Sequence, residues 1–502
     1  MILIDKKENI LSGYNSYLKD ESKLSFGDVS CIAIPENERE LADFLENNYK
    51  KNIPITISNG RTGVTGGSVP LNGCLLSLEK LNKIFGLEKK GEEYILKVQS
   101  GVSLAEIDNY LDNQFLEGKK YFYPVDVTET TAHIGGTIST NASGERSFKY
   151  GSTRKWVRYL KIALSDGGVL NIHRGELFAK GYKKEFRFPD GIKKDIILPK
   201  YRMPAVKNAA GYFSSQNMDI IDLFIGSEGT LGIILEAGIA LVSRPENIVS
   251  IIAFFNTEKD AAEFSYSARK TLDSALVFEY FDKGAFELLS GKFPELPAGK
   301  EAAIFFEVAS DSRNIDRIIE DIAKLLDNHG CSMNDTWTGF EKKDAKKIRL
   351  LRHAIPETIN EILAERKNAF SDLHKISADI AVPENKFLEL IAYYKESAEK
   401  HRLQYTMFGH IGENHLHMNI LPKTPDEFRI AKDLHRDFAK RAVALGGTVS
   451  AEHGIGKIKH EYLEIMYGKT GIKEMAAVKK VFDSKRILNR GNIFPEYLLD
   501  DK

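Results

Sequence analysis

The apolar positions of the chain follow a helical rhythm in some stretches and a strand rhythm in others. Leu41, Phe44 and Leu45 recur at helical spacing within Glu38–Lys51 and predict a helix, after which Pro54-Ile-Thr-Ile57 reads as a short strand. This unit delivers the chain into a glycine-rich loop, NGRTGVTGGSVP, at residues 59–70. Short β-like runs follow over 74–102, then a helix over about 103–112. Beyond about residue 245 the texture changes. Strand-like IVSIIAFF (248–255), LVFEYFD (276–282) and AIFFEVAS (303–310) alternate with longer amphipathic helices such as 314–328. Helices packed over a sheet have this rhythm, so the expected fold class is α+β with a domain boundary near Arg244-Pro245.

One later pattern predicts a hairpin. In QYTMFGHIGENHLHMNIL, residues 404–408 read as a strand and 409–414 as a turn. Over 416–420, Leu416, Met418 and Ile420 alternate with His417 and Asn419, which therefore share one face. The hairpin brings His410, at the entrance of the turn, close to His417 at its exit. Downstream, in GGTVSAEHGIGK, Glu452 and His453 are expected at a strand end opening into a glycine turn.

Length and charge narrow the field. A chain of 502 residues exceeds what one core usually organises, so two or three domains are expected. With 70 basic and 71 acidic side chains the net charge is -1, which offers no basic field for nucleic acid. Neither a signal-peptide-like start nor a run of ~20 apolar residues is present, and the expected location is the cytoplasm. Three cysteines, Cys31, Cys74 and Cys331, are too few for an iron–sulfur cluster. Residues 174–202 carry nine basic and four acidic side chains, which reads as a solvated surface excursion or, alternatively, a docking patch for an acidic redox partner.

Four loops in the first half share one chemistry: 59–67, 126–154, KNAAGY at 207–212 and IGSEGTLGI at 225–233. Glycine lets backbone N–H groups turn into a concavity, and such nests bind anions such as a pyrophosphate. Neighbouring Thr62, Thr65, Ser68, Thr137, Ser139, Asn141 and Ser143 add donors. The GxGxxG spacing of a Rossmann site is absent, and GIGKIK has Ile458 where a phosphate-binding loop needs Ser or Thr. For the histidines, two imidazoles and a carboxylate suit a catalytic divalent metal. They equally suit a hydrogen-bonding pocket without one.

These loops, together with DVTETTAHIGGTISTNASG and KYG, resemble the FAD-linked oxidases of the vanillyl-alcohol-oxidase type. The second half is similar to D-lactate dehydrogenases, glycolate oxidase flavin subunits and D-2-hydroxyglutarate dehydrogenases. The resemblance implies a two-lobed FAD-binding domain over 1–245, a cap domain over 246–455, and a C-terminal helical segment, 456–502, returning to the first. It implies FAD contacts from Asn59, Gly60, Arg61, Thr62, Gly63, Val64, Thr65, Gly66 and Ser68. Further contacts are implied for Asp126, Thr131, Ile134, Gly135, Gly136, Thr137, Ser139, Asn141, Gly144 and Gly151, and then for Glu228, Gly232, Ile233 and Asn489. The first loop has no His or Cys, so non-covalent FAD is expected. GHIGENHLH resembles the family's GHxGDGNxH, and SAEHGIGK its SGEHGIG. His410, His417 and Glu452 thus match metal ligands, usually of zinc, His453 the catalytic base and Asn419 a substrate contact. Glu413 stands where the family has Asp, and Asn414-His415 where it has Gly-Asn. Arg352 matches the family's carboxylate anchor, and Lys375 is a second candidate.

The implied reaction removes the hydroxyl proton of a D-2-hydroxy acid as hydride leaves its α-carbon for flavin N5. A metal on the hydroxyl oxygen acidifies it, and a neutral histidine accepts the proton. The expected partners are the small 2-hydroxy acid and a separate electron acceptor: an electron-transfer flavoprotein, a quinone or an iron–sulfur subunit. A homodimer is compatible with the sequence. Two alternatives remain: an alkyl-dihydroxyacetonephosphate synthase-like enzyme of ether lipids, and a non-catalytic flavin-binding subunit.

Overall fold

The structure, a computed structural model, describes residues 1–310, 315–339 and 342–499. Three main sheets organise it. The first has the order Ile2–Ile4, Cys31–Ile34, Cys74–Ser77, Ile55–Ser58, with its last three strands parallel. Between two of these strands lies the expected helix, Glu38–Lys51, capped by the Asn37 side chain and ended by left-handed Asn52. Its buried face, Leu41, Phe44 and Leu45, is the one predicted. Register sets Cys31 opposite Cys74, with their Sγ atoms 2.7 Å apart. Forty-odd intervening residues concealed that proximity.

The second sheet is antiparallel, in the order Ile84–Lys90, Glu93–Gln99, Ile233–Ala240, Val157–Ala163, Val169–His173. Its central strand, Ile233–Ala240, is buried along its whole length, and the IGSEGTLGI loop leads directly into it. The third sheet runs Thr336–Gly339, Asn247–Phe255, Ala302–Ser310, Ala275–Asp282, Tyr405–Gly409, His415–Ile420, Ile376–Ser377, with Ile380–Ala381 also on the His415–Ile420 strand. Helices Glu258–Thr271, Ile315–Asn328 and Lys342–Lys367 accompany it. Residue 314, expected to open the second of these, lies outside the described residues.

The C-terminal helix His460–Phe482 returns to the first half. There Lys479, fully buried, donates to Asp483 (2.8 Å) and to the carbonyls of Thr230 (2.8 Å) and Leu488 (2.7 Å). The basic excursion contains a hairpin, Lys183–Arg187 with Lys193–Ile197. Lys183–Asp195 and Lys193–Glu185 pair across it at 2.7 Å, while Phe186 and Phe188 pack against Phe482. Among the described residues, no helix is long and apolar enough to cross a membrane.

Candidate active site

A cavity of about 500 Å³ is lined by both halves of the chain. From the first half come Asn59, Gly60, Arg61, Thr62, Gly63, Val64, Thr65 and Ser68, then Gly135, Gly136, Thr137, Ser139 and Gly144. Glu228, Gly232, Ile233 and, from the C-terminal segment, Asn489 complete that side. A Cβ on Gly136 would meet nothing within 4 Å, so its backbone is open to the cavity. One on Gly144 would fall 1.5 Å from the Asp126 carbonyl oxygen, so only glycine permits that crossing of chains.

Six expected cofactor contacts do not line this cavity. Asp126 lies behind Gly144, Ile134 is fully buried in the core, and Gly66 turns away toward Leu24. Asn141 is left-handed and accepts the Arg154 N–H (3.0 Å), while Gly151 faces Lys155. Thr131 lines a neighbouring groove with Gly60, Arg61 and His133. Two residues on the wall also serve as clips. The Glu228 carboxylate accepts the N–H groups of Ile455 and Gly456, both at 2.7 Å. Asn489 accepts from the Ile57 N–H (2.6 Å) and donates to the Glu228 carbonyl (2.7 Å).

The other wall carries the polar cluster. The expected hairpin forms, with Phe408 opposite His417, and brings the rings of His410 and His417 within 5.8 Å. Glu452 lies between them: Oε2 is 3.2 Å from His410 Nε2, and Oε1 is 3.2 Å from His417 Nε2. The far nitrogens of both rings are held. His410 Nδ1 donates to Glu279 (2.5 Å) and His417 Nδ1 to the Ala378 carbonyl (3.1 Å). Each Nε2 is thereby turned toward Glu452, with the far nitrogen supported as it is in metal-ligating histidines. His453, partly exposed, directs Nδ1 to Asp379 (3.1 Å) and places Nε2 3.4 Å from Glu452. Arg352, Lys375 and Asn419 line the same cavity.

One expectation is corrected here. Glu452 and His453 lie on no strand, because the Asp379 carboxylate takes the N–H groups of Ala451, Glu452 and His453 at 3.1–3.2 Å. A backbone wrapped around one carboxylate has no amides left there for a ladder.

Residues 29–173 match the family model described as an FAD binding domain, and residues 244–493 that of the FAD linked oxidases, C-terminal domain. The chain is 30% identical to a D-lactate dehydrogenase of Anaerostipes hadrus over 88% of its own length and 84% of the relative's. It belongs to the FAD-linked oxidase family. A D-2-hydroxyglutarate dehydrogenase of Stutzerimonas stutzeri is 28% identical, covering 96% of this chain and 94% of that one. The structure of a 4-ethylphenol oxidase from Gulosibacter chungangensis shares the fold, with a TM-score of 0.67 at 16% identity over 99% and 95% of the chains.

In this FAD-linked oxidase the charges around the cluster come from residues that motif reading passed over. Lys207 Nζ lies 2.9 Å from Glu452 and 3.1 Å from Glu413. Burial disfavours its charge, but the two carboxylates outweigh burial and raise its pKa. Burial would likewise raise Glu452, yet Lys207 and His410 hold it well below the usual carboxylate range. Glu279, completely buried, pairs with Arg352 Nε at 2.8 Å. Against the effect of burial, His410 and Arg352 bring it down to about 2. Asp379 also receives Lys459 (2.7 Å). Lys207 was visible in KNAAGY, Glu279 as one of two acidic residues in LVFEYFD, and Asp379 as the one charge in SADIAVP. His133, whose Nδ1 lies 2.6 Å from Asn59 Oδ1, also lines the cavity.

The cations differ in kind. Arg352 has Glu279 at 2.8 Å and Glu145 at 3.8 Å, so its charge is largely balanced. Among the described residues Lys375 has no carboxylate partner, and burial alone lowers its pKa.

Proposed function

We propose that this flavoprotein oxidises a D-2-hydroxy acid, of the lactate, 2-hydroxyglutarate or glycolate class, to the 2-oxo acid and passes the electrons to a separate acceptor. The observation that carries the reading is one cavity lined by the glycine loops and by His453, His410, His417 and Glu452 together. Likeness over 88% and 96% of this chain to dehydrogenases named for lactate and 2-hydroxyglutarate supports it. The same reading divides the chain into an FAD domain over 1–245, a cap over 246–455 and a returning segment over 456–502.

FAD, held non-covalently against the glycine loops, supplies the two-electron acceptor, and a divalent cation, zinc in the resemblance, supplies Lewis acidity at His410, His417 and Glu452. The donor set fits such an ion, since both Nε2 atoms converge on one carboxylate at 3.2 Å. His453 does the proton work. Asp379 accepts its Nδ1–H, which leaves the Nε2 lone pair free to take the hydroxyl proton. Lys375 attracts the substrate carboxylate because a half-buried cation without a carboxylate partner gains most from an anion. Arg352 completes the pocket, and Asn419, held by donating to the His417 carbonyl (2.9 Å), presents its amide to substrate.

The test is an anaerobic visible spectrum titrated with D-lactate, D-2-hydroxyglutarate and glycolate, before and after chelation. Bleaching by one acid that chelation prevents is the expected result. Bound flavin that none of the three reduces overturns the substrate assignment.

A further inference from the structure

His415 is the departure from the family motif that the proposed chemistry leaves unused. The motif reading started the second strand at Leu416, but the strand is His415–Ile420. His415 therefore shares the face of His417 and Asn419, and its ring centroid lies 4.6 Å from that of His417 and 5.3 Å from that of His410. It is fully buried; Nδ1 has no hydrogen bond, and Nε2 faces only Asp379 Oδ1, at 3.3 Å and outside hydrogen-bond geometry. Leaving a buried ring nitrogen unmatched costs a fold about 1–3 kcal/mol unless something binds it. One ligand atom from each of His410, His415, His417 and Glu452 can be chosen so that all four lie within 4.8 Å of one another.

We propose that His415 is a third imidazole ligand, so that four side chains of this chain, three histidines and Glu452, hold the divalent cation. This rests on the metal reading above and deepens it. His415 Nδ1 lies 4.0 Å from Glu452 Oε2, and its Nε2 lies 3.3 Å from Asp379 Oδ1. With Nδ1 on the ion, Nε2–H points to the Asp379 carboxylate. That repeats at His415 the support that Glu279 gives His410 and the Ala378 carbonyl gives His417. His410, His417 and Glu452 line the cavity, whereas His415 does not reach its surface. The added ligand therefore comes from the protein interior and leaves the cavity side open.

The consequence is chemical. Four protein ligands fill a tetrahedral ion, but leave two positions on an octahedral one. A 2-hydroxy acid offers two oxygens, hydroxyl and carboxylate, that match two such positions. The site therefore favours an ion that readily adopts six-coordination, such as Mn²⁺, Fe²⁺ or Co²⁺, over one confined to four.

The experiment strips the flavin-loaded protein of metal with a chelator, adds one equivalent of Cu²⁺ as a probe, and counts bound imidazoles by pulsed electron paramagnetic resonance. Wild type is expected to show three, and His415→Asn, which restores the family residue, two. Competition with a chromophoric chelator is expected to show a loss of affinity of roughly tenfold or more in the variant. Two imidazoles in wild type overturn the role of His415 and leave the metal reading standing. No stoichiometric binding by wild type overturns both. The wild-type count decides the question even where the variant fails to fold.

Discussion

The two walls of the cavity are built on opposite principles. The glycine loops make their wall from backbone, and what matters there is where a side chain is missing. The hairpin and the 446–457 segment make theirs from charged side chains, and what matters is which charge balances which. A backbone wall tolerates no added atom where chains cross, whereas a side-chain wall tolerates shape changes but not the loss of a charge. The two walls should therefore fail differently, the first in flavin retention or folding and the second in turnover.

The largest contrast lies within the glycines themselves. Gly144→Ala forces a methyl group to within 1.5 Å of the Asp126 carbonyl oxygen, so little soluble flavoprotein is expected. Gly136→Ala places its methyl in the open cavity, so the protein should fold with its melting temperature unchanged yet retain flavin poorly. Flavin content after gel filtration, read beside a thermal melt, separates the two. Equal loss of folding in both variants would sink the distinction.

On the other wall, His453→Ala should keep flavin and lose turnover by about 10²–10⁴-fold, the usual contribution of a positioned base. Stopped-flow flavin reduction at saturating hydroxy acid is the measurement, and an unchanged reduction rate would remove His453 as the base. Glu279→Gln tests the buried charges. It removes the negative charge 2.8 Å from Arg352, and an uncompensated buried charge costs about 3–5 kcal/mol. Denaturant melts should show a loss of that size; one below about 1 kcal/mol would mean that Glu145 alone balances Arg352.

The same contrast explains what the sequence reveals. Glycine spacing is local, so the loops that form the backbone wall were legible, apart from residues such as Ile134 and Asp126 that support the wall from behind. The approach of His410 to His417 was legible because a hairpin is also local. Their counter-charges were not: Glu279, Lys207 and Asp379 arrive from three separate segments, and each alone looks like an ordinary charge. His415 was legible as a departure from the motif, but not its place behind the cavity surface, and the strand was read as starting one residue late. The strand placed on Glu452 and His453 failed because no local pattern reports that Asp379 gathers their amides.

The smallest effect concerns the seam between the walls, where Lys457 donates to the carbonyls of Gly66 (3.2 Å) and Gly67 (3.3 Å) and to Asn492 (2.6 Å). Burial pushes its amine down to about 8, against about 10.4 for an unfolded lysine. Below pH 8 the amine is charged in both states, and the fold bears the full cost of burying that charge. Between about 8 and 10.4 the folded protein releases the proton first, so this group's contribution to stability rises with pH. Lys457→Met has no such group. The difference in melting temperature, wild type minus variant, should therefore grow by a few degrees from pH 8 to pH 10, while other titrations cancel between the two proteins. A difference that stays flat across that window would mean that the amine remains charged, its three acceptors holding the ammonium against burial.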